Sequence, residues 1–119
     1  MSSISGEKNK IIRSALLGLL RTEYPGSLDL KVLSFSLDSL GFPMPEATLK
    51  AHLKYLSEKG LVKLAARKGY GFRFVYASLT ARGWDLLDGN VTEDGVSIPK
   101  SHGFLEPGEG SGGASENGR

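Results

Sequence analysis

A small, mainly α-helical domain with one β-hairpin (α+β) is what the sequence predicts, on three observations. The stretch Gly41–Lys59, GFPMPEATLKAHLKYLSEK, has the turn, the start signal and the periodicity of a helix that buries one side and presents the other. Two more helix-patterned segments precede it, and two short runs joined by a glycine-containing tip follow it. A last short helix starting after Thr80 completes a three-helix core plus hairpin, the order of a winged helix-turn-helix.

Residues 1–6 read as a small polar leader, in which Ser5 is placed to cap the first helix. That helix is expected over residues 7–22. Ile11, Ile12, Ala15, Leu16, Leu19 and Leu20 recur at helical spacing, and Lys8, Lys10, Arg13 and Arg21 decorate the other side. Tyr24-Pro25-Gly26 ends it, since proline cannot continue a helix. Ser27 is the expected N-cap of the second helix, with Asp29 in its first turn and Gly41 at the C′ position after Leu40. Leu30, Leu33, Leu37 and Leu40 form its buried stripe. Val32 and Phe35 fall on the opposite side and leave an apolar surplus, to be covered by the N-terminal arm or the C-terminal segment or, alternatively, by a homodimer or other protein contact.

The linker Gly41-Phe42-Pro43-Met44 is short and stiff, with Phe42 expected in the core, and the third helix begins at or next to Pro45. Glu46 complements the positive end of its dipole. With Leu49 at zero on a helical wheel, Leu53 and Leu56 fall within about 40° and His52 within about 60° of it. The opposite side carries Ala47, Lys50, Ala51, Lys54 and Glu58. Two alanines allow close approach to a groove, and two lysines reach phosphates. An ordinary solvated face is the competing reading of that helix taken alone.

Gly60 ends the third helix. Residues 61–66 and 72–79 read as two strands, and the tip between them, RKGYGFR, holds Arg67, Lys68 and Arg73, two glycines and an exposed Tyr70. This is the composition of a wing that straddles a sugar-phosphate backbone or enters a minor groove. Thr80 caps a last helix over residues 81–88 that buries Trp84 and Leu87 and stops at Gly89. Residues 90–98 are expected to lie on the domain through Val91, Val96 and Ile98, so that residues 7–98 form one domain. Residues 99–119, rich in Gly, Ser and Glu, read as a disordered acidic tail.

Composition narrows the function. The net charge of +2 hides an asymmetry: residues 1–83 carry 13 Lys and Arg against 6 Asp and Glu, while residues 84–119 carry 2 against 7. A basic front part points to a polyanionic partner. With no cysteine among 119 residues, disulfides, thiolate metal sites and cysteine nucleophiles are ruled out. The apolar run Ala15–Leu20 is too short to span a bilayer, and the first residues lack the pattern of a signal peptide, so a soluble cytoplasmic protein without membrane contact is expected. His52, His102 and scattered serines form no catalytic frame. Neither enzyme activity nor a cofactor nor a metal is expected, and His52 is read as a histidine at the core edge.

The passages LKYLSEKGLVKL and LTARGWDLLDG, taken with the element order over about residues 7–90, resemble the winged helix-turn-helix superfamily of bacterial regulators. More narrowly, GFPMPEATLKAHLKYL and LLDGNVTEDGV are similar to small winged-helix proteins of Mu-like phages and prophages. The resemblance implies a double-stranded DNA partner and a role in transcription regulation or as a DNA-associated accessory factor. It places Thr48, Lys50, Ala51 and Lys54 at base edges, with Ala47 allowing approach. It puts Arg67, Lys68 and Arg73 at phosphates, with Tyr70 stacking or donating a hydrogen bond. The third helix lacks arginine, asparagine and glutamine, the side chains that read guanine or adenine bidentately, which speaks against strong sequence discrimination. A winged helix used for protein contact, in a phage assembly or a regulatory complex, is the alternative.

Overall fold

The structure is a computed structural model that describes residues 3–98; the expected acidic tail at 99–119 lies outside the described residues. The element order is α1 (Ser3–Arg21), β1 (Ser27–Asp29), α2 (Leu30–Ser39), α3 (Glu46–Glu58), β2 (Val62–Gly69), β3 (Phe72–Leu79) and α4 (Ala81–Leu87). The core is a continuous leucine cluster: Leu16, Leu17 and Leu20 of α1, Leu33 and Leu37 of α2, and Leu49, Leu53 and Leu56 of α3 are fully enclosed. Val62, Ala77 and Leu79 carry it into the base of the hairpin. Buried side chains of this size each contribute about 1.5–3 kcal/mol, so the core, not helix propensity, holds the three helices.

Helix ends follow the glycines. α2, α3 and α4 each close with a left-handed residue one past the cap, at Gly41, Gly60 and Gly89. In each, the next N–H turns back to the carbonyl five residues earlier: Phe42 to Leu37 (2.8 Å), Leu61 to Leu56 (2.9 Å) and Asn90 to Asp85 (2.8 Å). This satisfies carbonyls the helix leaves open, and glycine takes the positive φ at no steric cost. Gly83 has a different reason. A Cβ there would overlap the Leu61 carbonyl oxygen and the Leu79 side chain, so its lack of a side chain lets α4 press onto the hairpin base.

The structure corrects several expectations. α1 starts at Ser3, so Ser5 does not cap it and residues 3–6 belong to the helix. Leu17, not assigned to the stripe, is fully buried, while Ile11 is exposed. The second helix does not start from Ser27. Residues 27–29 form a strand that pairs antiparallel with β3 (Ser27↔Ser78, Leu28↔Ala77, Asp29↔Tyr76), giving a three-stranded sheet of order β1-β3-β2. Asp29 is the cap, accepting from the Lys31 N–H at 3.0 Å. The segment thereby pairs the outer edge of β3, which a two-stranded hairpin would leave open. Leu40 is exposed, because the chain has already turned at the helix end. In α4 the buried residues are Gly83 and Leu86. Leu87 is only partly covered, and Trp84 lies at the surface against Tyr24, ring centroids 5.1 Å apart.

Residues 90–98 do lie on the domain, with Val96 buried and Val91 and Ile98 packed against the core. They pass over α1 and α3: Ser97 N–H donates to Lys10 (3.3 Å), Arg13 Nη1 donates to the Gly95 carbonyl (3.0 Å), and Glu93 faces Lys59 (3.7 Å) and Arg82 (3.9 Å). This segment does not cover Val32 and Phe35, which are 46% and 73% exposed among the described residues. Arg13 is not a surface decoration but half-buried, its guanidinium 3.9 Å from the Tyr55 ring centre.

Candidate nucleic-acid interface

α3 has the two faces its spacing predicts. Leu49, His52, Leu53 and Leu56 are buried; Ala47, Thr48, Lys50, Ala51 and Lys54 are exposed. Pro45 stands just outside the helix with extended backbone, leaving Glu46 in the first turn. His52 is fixed from behind. Arg13 Nε donates to its Nδ1 at 3.2 Å, so Nδ1 is unprotonated and the ring neutral. Burial, and secondarily the Arg13 charge, push its pKa below the ordinary histidine value, which keeps it so. It is a core histidine on the side of α3 away from the exposed lysines.

The exposed side of α3 opens onto a groove of about 500 Å³ shared with the hairpin and the start of α2. Its apolar floor is formed by Leu30, Leu53, Leu64 and Val75, with Phe74 only bordering it from the strand between Arg73 and Val75. Lys31, Lys50, Lys54 and Arg73 stand around it, against the acids Asp29 and Glu46. Four cations over two acids leave the groove positive. Lys50 Nζ sits 3.1 Å from Glu46, a solvent-exposed pair one helical turn apart, worth about 0.3–0.5 kcal/mol and easily exchanged for another anion. Lys54 has no ion pair within 4.0 Å among the described residues.

The wing is tighter than its composition implied. β2 and β3 remain paired out to Gly69↔Phe72, so the tip is only Tyr70-Gly71, with φ of 52° and 79°. Two successive positive φ values are the signature of the two-residue turn that matches strand twist. Arg67, Lys68 and Arg73 therefore lie on strands, where side chains alternate between faces. Lys68 and Arg73 are cross-strand partners on the face toward α3, the face of buried Val62 and Leu79. Arg67 points the other way, its guanidinium 5.4 Å from the Tyr76 ring centre. Tyr70 is 98% exposed at the tip. The groove thus unites Lys50 and Lys54 with Arg73, sets Lys68 beside them, and leaves Arg67 on the far face.

Lys31 was not among the sequence candidates. It reaches the groove because β1 pins the start of α2 to the hairpin, a long-range pairing that no local pattern reveals.

Three helices, the helix-turn-helix made by α2 and α3, and a hairpin with a strand added at its edge define a winged helix-turn-helix. Solved structures agree. The chain is similar to the PadR family transcription regulator from hypervirulent Clostridium difficile R20291 (22% identity over 65% of this chain and 79% of that one, TM-score 0.54). A PadR family transcriptional regulator from Eggerthella lenta is comparably close (21%, 64% and 67%, TM-score 0.53). So is Bacillus subtilis PadR, solved in complex with operator DNA (22%, 76% and 51%, TM-score 0.55). At these identities the likeness is one of fold. No protein-family model matches the chain, and no curated protein matches it. Among the described residues no helix is long and apolar enough to cross a membrane.

Proposed function

We propose that this protein is a DNA-binding transcription regulator or DNA-associated accessory factor that lays α3 in the major groove and its wing along the backbone. The observation that carries this reading is the single groove joining Lys50 and Lys54 of α3 to Arg73 of the wing and Lys31 of α2. A strand of duplex leaving the major groove has to pass between helix and wing, and this is where the cations converge. Thr48, Lys50, Ala51 and Lys54 meet base edges, and Ala47 lets the helix approach. Arg73, Lys68 and Lys31 hold phosphates, while Tyr70 stacks at the tip or donates to a phosphate; Arg67 contacts backbone from the outer face. The winged-helix neighbour solved with operator DNA supports the reading. A cytoplasmic location goes with it, and a phage or prophage setting rests on the sequence resemblance alone.

Salt dependence tests it. Each phosphate contact contributes about −0.9 to the slope of log affinity against log salt, so Lys54→Ala, Lys68→Ala and Arg73→Ala should each flatten the slope by about one unit on any duplex. Lys50→Ala separates two roles: uniform loss across sequences means backbone contact, and loss at a preferred site means base readout. If the unmodified protein shows no salt-sensitive duplex binding at micromolar concentration, the DNA reading fails. The second reading, a protein contact, then stands on the exposure of Val32 and Phe35 along α2, and Phe35→Ser is the variant that should abolish it.

A further inference from the structure

The sheet face turned away from the helices has a use that the duplex reading does not supply. Alternation along β3 puts Phe72, Phe74 and Tyr76 together on that face, opposite in direction to Ala77 and Leu79. Phe72 is 65% exposed and the other two rings are partly so. Their cross-strand neighbours on β2 are small where it matters: Gly69 faces Phe72 and Ala65 faces Tyr76. Phe72 is therefore open from that side, while Arg67 lies opposite Phe74 with its guanidinium 5.4 Å from the Tyr76 ring centre. Phe72 and Phe74 have centroids 6.3 Å apart, close to the roughly 6.8 Å that separates alternate residues of a strand. Beside this row runs a second, of cations: Arg67 opposite Phe74 and Lys63 opposite Ser78, both exposed. Asp29, opposite Tyr76 at the end of β1, borders this face as well as the groove and keeps its charge while accepting from the Lys31 N–H, so Arg67 and Lys63 stand against one acid here.

An exposed aromatic row flanked by positive charge fits few occupants. Duplex DNA keeps its base faces stacked inside and offers this surface only phosphates. A second copy docking by a twofold axis would set Lys63 and Arg67 against their own counterparts or near them, and like charges facing each other are costly. A single strand has both missing complements, with base faces free to stack on rings and phosphates to meet the cations.

We propose that the outward face of the sheet is a second nucleic-acid site, which binds a single strand by stacking bases on Phe72, Phe74 and Tyr76 while Arg67 and Lys63 follow its phosphates. It lies on the opposite side of the sheet from the α3 groove, shares only Arg67 with the duplex reading, and does not depend on duplex binding in that groove.

The test uses the full chain and a short labelled oligothymidylate, followed by fluorescence anisotropy. Phe72 is at the surface, so its variants keep the fold, checked by circular dichroism. Phe72→Ala should weaken oligothymidylate binding about tenfold or more, Phe72→Leu should do the same because it restores apolar area without a π-face, and Phe72→Trp should restore binding. Lys63→Ala should flatten the salt slope by about 0.7. Duplex binding should be unchanged in the Phe72 variants, while Lys54→Ala should weaken the duplex and spare the single strand. The proposal is overturned if the parent does not bind oligothymidylate, or if Ala, Leu and Trp at Phe72 bind it equally. It is also overturned if sedimentation finds a dimer that Phe72→Ala dissociates, for then the face joins two copies of the chain.

Discussion

The two ends of the hairpin are made of the same two strands and obey different physics. At the base, Val62, Ala77 and Leu79 are buried among the helices, and Thr80 ties strand to α3 and α4 by donating to the Gly60 carbonyl (2.6 Å) and accepting from the Gly83 N–H (3.1 Å). At the tip, Tyr70 and Phe72 touch little, and the strands are held by their own ladder and a two-residue turn. The base belongs to the core, whereas the tip is held by the hairpin alone. Substitutions in one strand should therefore divide cleanly by position.

The largest effect is expected at the base. Leu79→Ala removes a buried side chain that also packs on Gly83, and should cost about 2–5 kcal/mol in chemical denaturation. A value under about 1 kcal/mol would mean that the base is no more anchored than the tip. Thr80→Ala comes next, at about 1 kcal/mol, for a lost cap and the lost bond to Gly60. A smaller loss would show that the hydroxyl serves only one of the two partners.

Acid should act on the core and not on the tip. The folded-state pKa of His52 is depressed below 6.5, so the unfolded chain binds the proton more readily. Stability from this group is whole above that value and declines as pH falls through and below it. Thermal unfolding of His52→Gln should accordingly change less than the parent's on going from about pH 7 to about pH 5. Equal changes would relieve His52 of that role. The smallest effect belongs to Phe72→Ala, which should stay within about 0.5 kcal/mol of the parent. A larger loss would show that the outer aromatic row supports the sheet.

The same division shows what the sequence could reveal. α3 was legible in full because thirteen residues of one period fix a phase, and glycine stops mark the helix ends. α4 was legible as a helix but not in orientation: over seven residues the choice among Trp84, Leu86 and Leu87 turns on the position of Tyr24, which is sixty residues from Trp84 and stacks on it. β1 was not legible at all, since three residues carry no period and both Ser27 and Asp29 suit a helix cap. The exposed face of α3 was read from its spacing, whereas the groove was not. Its cations come from three elements, and α2 reaches the other two only through the β1–β3 pairing; the split of Arg67 from Lys68 and Arg73 depends on how far the ladder extends.

The segment over the back of α3 has one more consequence. Arg13 grips His52, Tyr55 and Gly95 together, and Glu93 adds Lys59 and Arg82, while Gly95 sits so close to the Tyr55 ring that a Cβ would not fit. These contacts tie the rear of α3 to α1, α4 and the 90–98 segment and oppose its tilting. A rigid helix meeting a duplex leaves the bending to the duplex, and bending energy varies with base step. On the proposed duplex reading, and without bidentate readers on α3, preference among sequences is a preference for pliable DNA: a flexible pyrimidine–purine step in the right place counts for more than the identity of any base under the helix.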